Sequence, residues 1–281
     1  MSIDVAIAGV QKAGTTSLLR WLGQHPAIQA QQSMELTYFI DREAIDLEEL
    51  AAVLEREFPG NEASGRKALM KHVGLFENAQ ALRLLKRHNP EMKLIVVLRE
   101  PASRAWSAFW YARSKGFEPE SDFEKAAFRR AADFFESPFQ RRSTDYVGKG
   151  FYHHNLRQME QFFSPEQCCI LTFEALKSSP QAVCDRVFEF LQLPSHPIAL
   201  RAENPTRMPR FGWMARLQFW AKPLIKILPR PLHKYLKKKV KGWNTSDRSA
   251  PELPAPLRER LRERYREENR LLFEDYGIDY R

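Results

Sequence analysis

Residues 9–17 read Gly-Val-Gln-Lys-Ala-Gly-Thr-Thr-Ser. They stand between a short apolar run and a stretch with helical spacing. A turn from strand to helix aims several backbone N–H groups and the positive end of a helix at one point, where an anion binds favourably. Gly14 lets the backbone come close to such a ligand. Lys12 adds a full charge, Thr15, Thr16 and Ser17 add hydroxyl donors, and Ala13 lies in the same binding turn. The pattern differs from the loop that cradles nucleoside triphosphates. There the lysine follows the last glycine and a hydroxyl holds Mg²⁺. Here Lys12 precedes Gly14, and the next strong strand ends in Arg99 rather than in a metal-binding Asp. The loop therefore predicts a phosphate cradle that works without a metal.

A second anion site is predicted at Leu98-Arg99-Glu100-Pro101-Ala102-Ser103-Arg104-Ala105-Trp106-Ser107. Arg99 falls at the carboxyl end of a core strand, where ligands bind in open α/β sheets. Arg104 and Ser107 are three apart and can share a helix face. A guanidinium with a hydroxyl suits a phosphate monoester. The adjacent His153 and His154 point in different directions on a helix and read as structural or substrate-lining rather than metal ligands. The three cysteines, Cys168, Cys169 and Cys184, offer neither zinc spacing nor a disulfide framework. A reducing, cytoplasmic interior is the simplest expectation, and no removable leader is visible at the amino end.

The elements that must position these groups can be read from the apolar pattern. Strands are expected over 3–9, 93–98 and 168–173. Lys93-Leu-Ile-Val-Val-Leu98 is the strongest, an unbroken apolar run of the kind buried on both faces of a parallel sheet. Helices are expected over 15–23, 43–58, 77–88, 102–114, 123–135, 152–163, 181–191 and 256–276, with Pro101 at a first helical position. Strands alternating with helices predict an α/β fold with a mostly parallel sheet. The chain of 281 residues, 43% hydrophobic and 28% charged, is ordinary globular material, which excludes disorder and collagen-like structure. No apolar run reaches the roughly 18 residues a membrane span needs.

These motifs carry a family resemblance. Val10-Gln11-Lys12-Ala13-Gly14-Thr15-Thr16-Ser17-Leu18 resembles the 5′-phosphosulfate loop of sulfotransferases that use 3′-phosphoadenosine 5′-phosphosulfate (PAPS). Arg99-x-Pro-x-x-Arg-x-x-Ser107 resembles their 3′-phosphate motif. The stretch 152–191 is similar to their second half, and 265–277 to the closing helix of bacterial and heparan-sulfate-type members. The resemblance runs from residue 4 to about 280, apart from 117–145 and 200–250. It implies one domain over 1–281, with a three-layer P-loop-like fold. It also implies sulfuryl transfer from PAPS, release of 3′-phosphoadenosine 5′-phosphate (PAP), and no metal. It places Lys12 at the leaving phosphate oxygen, as the family lysine is. For the base that takes the acceptor's proton it leaves two candidates. Glu35, in Gln32-Ser-Met-Glu35-Leu-Thr-Tyr-Phe39, resembles the Glu of heparan-sulfate-type and many bacterial members. His72 resembles the His of cytosolic small-molecule members. Glu35 is preferred, with Lys71 as a second cation near the sulfuryl group.

The net charge of +9 is not evenly spread. Residues 201–248 hold 13 Lys/Arg against two acids, a net of +11, whereas the rest holds 31 Lys/Arg against 33 acids, a net of −2. Aromatic and apolar residues interleave the cations, a composition that suits an anionic bilayer surface or an acceptor. Peripheral membrane contact is expected through about 210–243, while the family resemblance implies that Arg207 or Arg210 reaches the nucleotide. Nucleic acid is disfavoured, because no recognition motif accompanies the patch. The acceptor group would be a hydroxyl or an amine, and carbohydrate, lipid, peptide-tyrosine and small-molecule acceptors stay open. Two other readings stand beside the transferase: a P-loop-type nucleotide kinase, and a non-catalytic module on anionic membranes.

Overall fold

The computed structural model describes residues 1–129, 138–200, 207–209 and 245–281. The basic segment 201–248, apart from two short strands within it, lies outside the described residues, and so does its expected membrane contact over 210–243. The chain falls into two units. The first comprises Met1–Arg99 and Tyr152–Ala202, the second Glu100–Phe151 and Glu203–Arg281.

The first unit is built on one sheet. Its strands are β1 (Val5–Gly9), β2 (Ile28–Ala30), β3 (Lys67–Lys71), β4 (Lys93–Leu98) and β5 (Cys168–Thr172). They lie in the order β2-β3-β1-β4-β5, and every neighbouring pair is parallel. Parallel neighbours need crossover connections. The helices are α1 (Thr15–Leu22), α2 (Leu47–Glu57), α3 (Asn61–Ser64) and α4 (Ala79–His88), then α8 (Tyr152–Glu160), α9 (Phe173–Ser178) and α10 (Pro180–Phe190). Leu94, Ile95, Val96, Val97 and Leu98 of β4 are all buried, as an unbroken apolar strand between helical layers should be. The chain builds β2 and β3 to one side of β1, then crosses to place β4 and β5 on the other. The order therefore reverses between β1 and β4, the position where open α/β sheets bind ligands.

Local chemistry sets the boundaries. Asp46 accepts from the Glu49 N–H at 3.0 Å, so the helix expected from residue 43 starts at Leu47. Asn78 caps α4 through the Ala81 N–H at 3.0 Å. The helix expected to end at 163 ends at Glu160. The strands β2 and β3 are additions to the elements predicted from sequence. Burial pushes the thiols of Cys168, Cys169 and Cys184 up to about 12, 11 and 12, so these free cysteines behave as small core residues.

The second unit holds α5 (Pro101–Ser114), α6 (Phe123–Phe128), α7 (Pro138–Ser143), an antiparallel pair β6 (Arg207–Pro209) and β7 (Thr245–Ser249), and α11 (Ala255–Tyr276). The helix expected over 123–135 stops at Phe128, and 130–137 lie outside the described residues. Pro101 opens α5, and the Glu100 carboxylate caps it through the N–H groups of Ala102 and Ser103 at 3.1 and 2.8 Å. Phe109, Phe123 and Tyr146 pack edge to face in its core. The Tyr265 hydroxyl donates to the Val147 carbonyl at 2.9 Å, and burial pushes its pKa up to about 12. Among the described residues, no helix is long and apolar enough to cross a membrane.

The central strand yields a stability prediction. Leu94→Ala should destabilise the protein by about 3 kcal/mol, since a buried leucine is lost where close-packed neighbours cannot collapse fully. Urea unfolding of the two proteins would measure it, and a loss below about 1 kcal/mol would contradict the burial assigned to β4.

Candidate active site

The loop after β1 is tied to the neighbouring strand at its start, where the Val10 N–H donates to the Val97 carbonyl at 2.9 Å. Lys12 and Gly14 both take left-handed backbone conformations, at φ 72° and 80°. At Gly14 a side chain would also collide. A Cβ would lie 2.7 Å from Leu176 Cδ2 and 3.3 Å from the Phe173 ring, so only glycine fits. The helix α1 then starts at Thr15, and its N-cap Gly14 supplies no side-chain hydrogen bond to the first turn. The first N–H groups of a helix have no partner within the helix. Those of α1 thus point, with the helix dipole, at the space the loop encloses. Thr15 and Ser17 are buried, while Lys12 and Thr16 are half-buried. Donor set and charge fit a phosphate.

Arg99 joins this loop directly. Its Nη1 donates to the Lys12 carbonyl at 2.9 Å, and its guanidinium lies over the Phe173 ring at 4.6 Å. The Tyr152 hydroxyl donates to the Arg99 carbonyl at 2.7 Å. The ends of β1, β4 and β5 therefore converge on one cationic corner. Ser107 lies about two turns into α5, in the second unit, and is half-buried. Arg104, expected to share its face, is wholly buried and donates to the Tyr146 carbonyl, so its guanidinium serves the interior of the second unit.

The second cluster stands at the end of β3. Ile7 of β1 is in register with Lys71, so this cluster flanks the strand that runs into the loop. The Lys71 side chain is wholly buried and pairs with Glu35, whose side chain is one third exposed. Lys71 Nζ donates to Glu35 Oε1, and the Val73 N–H donates to Oε2 at 3.0 Å. The carboxylate is thus gripped on one side and open to solvent on the other. His72 follows Lys71, but its ring turns into the local chain. Its Nδ1 accepts from the Gly74 N–H at 3.0 Å, and the His72 backbone N–H donates to the Ile7 carbonyl at 3.2 Å.

Two residues that sequence patterns did not single out hold the Glu35 segment. Gln31, buried, bonds to the Lys71 backbone on both sides. Glu57, also buried, accepts from the Ser33 N–H at 2.8 Å. Burial raises the pKa of Glu57, but hydrogen bonds from Ser33 and Arg56 outweigh it, so the group lies below its ordinary value. Lone Gln and Glu residues carry no spacing signal. Phe173, which opens α9 directly after β5, could have been suspected from its place beside a strand end. Among the described residues, no three His, Cys, Asp or Glu side chains converge as a metal ion would require.

Comparison with known proteins gives one family model. The sulfotransferase domain matches residues 2–208. Among curated proteins, human heparan sulfate glucosamine 3-O-sulfotransferase 6 is 28% identical over 274 residues, spanning 98% of this chain and 72% of the relative. The bifunctional heparan sulfate N-deacetylase/N-sulfotransferase 1 of Caenorhabditis elegans is 23% identical over 194 residues, 69% of this chain and only 22% of that longer protein. Among solved structures, a sulfotransferase from Alicyclobacillus acidocaldarius superposes with a TM-score of 0.71 at 16% identity, covering 99% of this chain and 97% of that one, and so shares the fold.

The Glu57 anchor predicts a pH signature. A carboxylate with a lowered folded pKa adds stability above its unfolded value and loses it as pH falls through the folded one. The stability gap between wild type and Glu57→Gln should therefore stay constant above about pH 5.5 and shrink as pH falls through the carboxylate range. Denaturant unfolding at a series of pH values reads this, and a gap that widens on acidification would reverse the assignment.

Proposed function

The chain belongs to the sulfotransferase-domain family, and on that premise we propose that it moves a sulfuryl group from PAPS to a carbohydrate hydroxyl, with 1–281 acting as one domain. The observation that carries the reading is the pair of clusters at the strand ends of the first unit. One is cationic and suits an anion, and the other holds a half-open carboxylate on a buried lysine.

In this reading the 5′-phosphosulfate lies on the N–H groups of Gly14, Thr15 and Thr16, with Ala13 and the Ser17 hydroxyl completing the loop. Arg99 and Ser107 hold the 3′-phosphate. The acceptor oxygen attacks sulfur in line as the bond from sulfur to the 5′-phosphate oxygen breaks, and the electron pair goes to that oxygen. Lys12 and the α1 dipole stabilise the charge that builds there. The acceptor's proton passes to Glu35, and Lys71 holds the carboxylate toward the reacting centre. His72 fits this duty less well, because its Nδ1 is committed to the turn at Gly74. The nucleotide-kinase and membrane-module readings have no comparable support.

A carbohydrate acceptor is favoured by the heparan sulfate in the names of the curated relatives. The net charge of +11 in 201–248 would suit an anionic chain. Lipid-linked and small alcohols are the competing acceptors, and anionic vesicles test membrane contact of 210–243. We place the reaction in a reducing interior, in keeping with three unbridged thiols.

Two measurements test the reading. PAP should raise the melting temperature without Mg²⁺, and ADP, which lacks the 3′-phosphate, should do so far less. Lys12→Ala and Arg99→Ala should abolish the PAP shift, and equal stabilisation by ADP would refute the nucleotide assignment. For the base, Glu35→Gln should lower kcat by about 100-fold or more, against less than about tenfold for His72→Ala. The reverse order would move the base to His72.

A further inference from the structure

The strand ladder between β2 and β3 ends at Leu69, two residues short of Lys71. In β2, Ile28, Gln29 and Ala30 are in register with Lys67, Ala68 and Leu69 of β3, and the Gln31 N–H closes the ladder on the Leu69 carbonyl at 3.0 Å. The next peptide pair would reach Lys71, but the chain turns away after Gln31 to bring Glu35 back. The Gln31 side chain takes the place of the missing peptide. Its Oε1 accepts from the Lys71 N–H at 2.7 Å, and its Nε2 donates to the Lys71 carbonyl at 3.2 Å. The second hydrogen of Nε2 goes to the Ser33 carbonyl at 3.0 Å. One amide thus clamps Lys71 to the start of the segment that carries Glu35. Only one orientation of the amide satisfies these partners, since one face meets an N–H and the other two carbonyls. The far side of that segment is closed by the Ser33 hydroxyl, which donates to the Glu35 carbonyl at 3.2 Å, and by the Leu36 N–H, which donates to the Lys71 carbonyl at 3.0 Å. Gln31 reaches neither the anion loop nor any reacting atom, so its effect passes through Lys71 and Glu35.

We propose that Gln31 is a positioning residue for sulfuryl transfer, fixing the Lys71–Glu35 pair by acting as a side-chain extension of β2. The inference rests on the reading of Glu35 as the base. A buried amide that only supported the fold would lower stability and leave turnover per folded molecule intact. A positioning amide lowers kcat while leaving donor affinity alone, because the loop that holds the donor is anchored through Val97 and Arg99 instead.

The test is a double-mutant cycle in the full chain, using ³⁵S-labelled PAPS with O-desulfated heparin as acceptor and donor hydrolysis by water as a second readout. The variants are Gln31→Met, Glu35→Gln and their combination, with PAP titration and far-UV circular dichroism reporting donor binding and folding. Gln31→Met, of similar length but without the amide, is expected to lose about 10- to 100-fold in kcat with the donor KM within about twofold. In the Glu35→Gln background it should add less than about twofold, because the group it positions is already gone. Wild-type kcat in folded Gln31→Met, or a loss that multiplies fully with that of Glu35→Gln, overturns the proposal while leaving the base assignment standing. Wild-type kcat in Glu35→Gln overturns both. Should Gln31→Met fail to fold, Gln31→Glu runs the same cycle, since it keeps an acceptor for the Lys71 N–H and loses both donors, and the same outcomes decide.

Discussion

A wholly buried ammonium needs a counter-charge, and in this chain Lys71 obtains one only because residues 31–36 fold back across the end of β3 to deliver Glu35. Removing one partner of a buried pair typically costs about 3–5 kcal/mol, because the other is left desolvated. That requirement explains the density of bonds around a short surface segment. Gln31 holds its start, Glu57 holds Ser33, and the Leu36 N–H holds its end. The carboxylate is consequently fixed while one third of the Glu35 side chain stays exposed.

The parallel sheet organises the rest. Its order reverses between β1 and β4, so the loop after β1 and the residue after β4 meet at one corner, and Arg99 bonds to the carbonyl of Lys12 there. β3 flanks β1 on the opposite side, which sets the Lys71 cluster one strand away, with Ile7 as the intervening register point. Both clusters follow from strand order rather than from proximity in sequence, since Lys12, Lys71 and Arg99 are far apart along the chain.

Different parts of this arrangement were legible to different degrees. The loop at 9–17 stands out because Gly, Lys and hydroxyl residues concentrate after an apolar run, and β4 because five consecutive apolar residues leave no other reading. β2 and β3 escape notice for physical reasons. β2 is three residues long, and β3 is bounded by lysines that look solvated until Lys71 is seen to be buried. Glu35 and Lys71 could both be singled out by family resemblance, but their pairing depends on how residues 31–36 fold back onto β3. Gln31 could not be singled out at all, because an amide that substitutes for a peptide leaves no periodic trace. In the second unit, Arg104 looked like a ligand from its spacing with Ser107, yet the Tyr146 carbonyl claims it inside a core that no local pattern announces.

The staple between Tyr152 and Arg99 has a consequence for chain length. The chain leaves the first unit at Arg99 and re-enters it at Tyr152, and the hydroxyl of the second donates to the carbonyl of the first. The excursion 100–151 is therefore a loop whose ends are already closed. The entropy of closing a loop grows only with the logarithm of its length. Changes of length between α5 and Phe151 therefore carry little closure penalty for the five-stranded sheet, because the two chain ends are already held together by this bond.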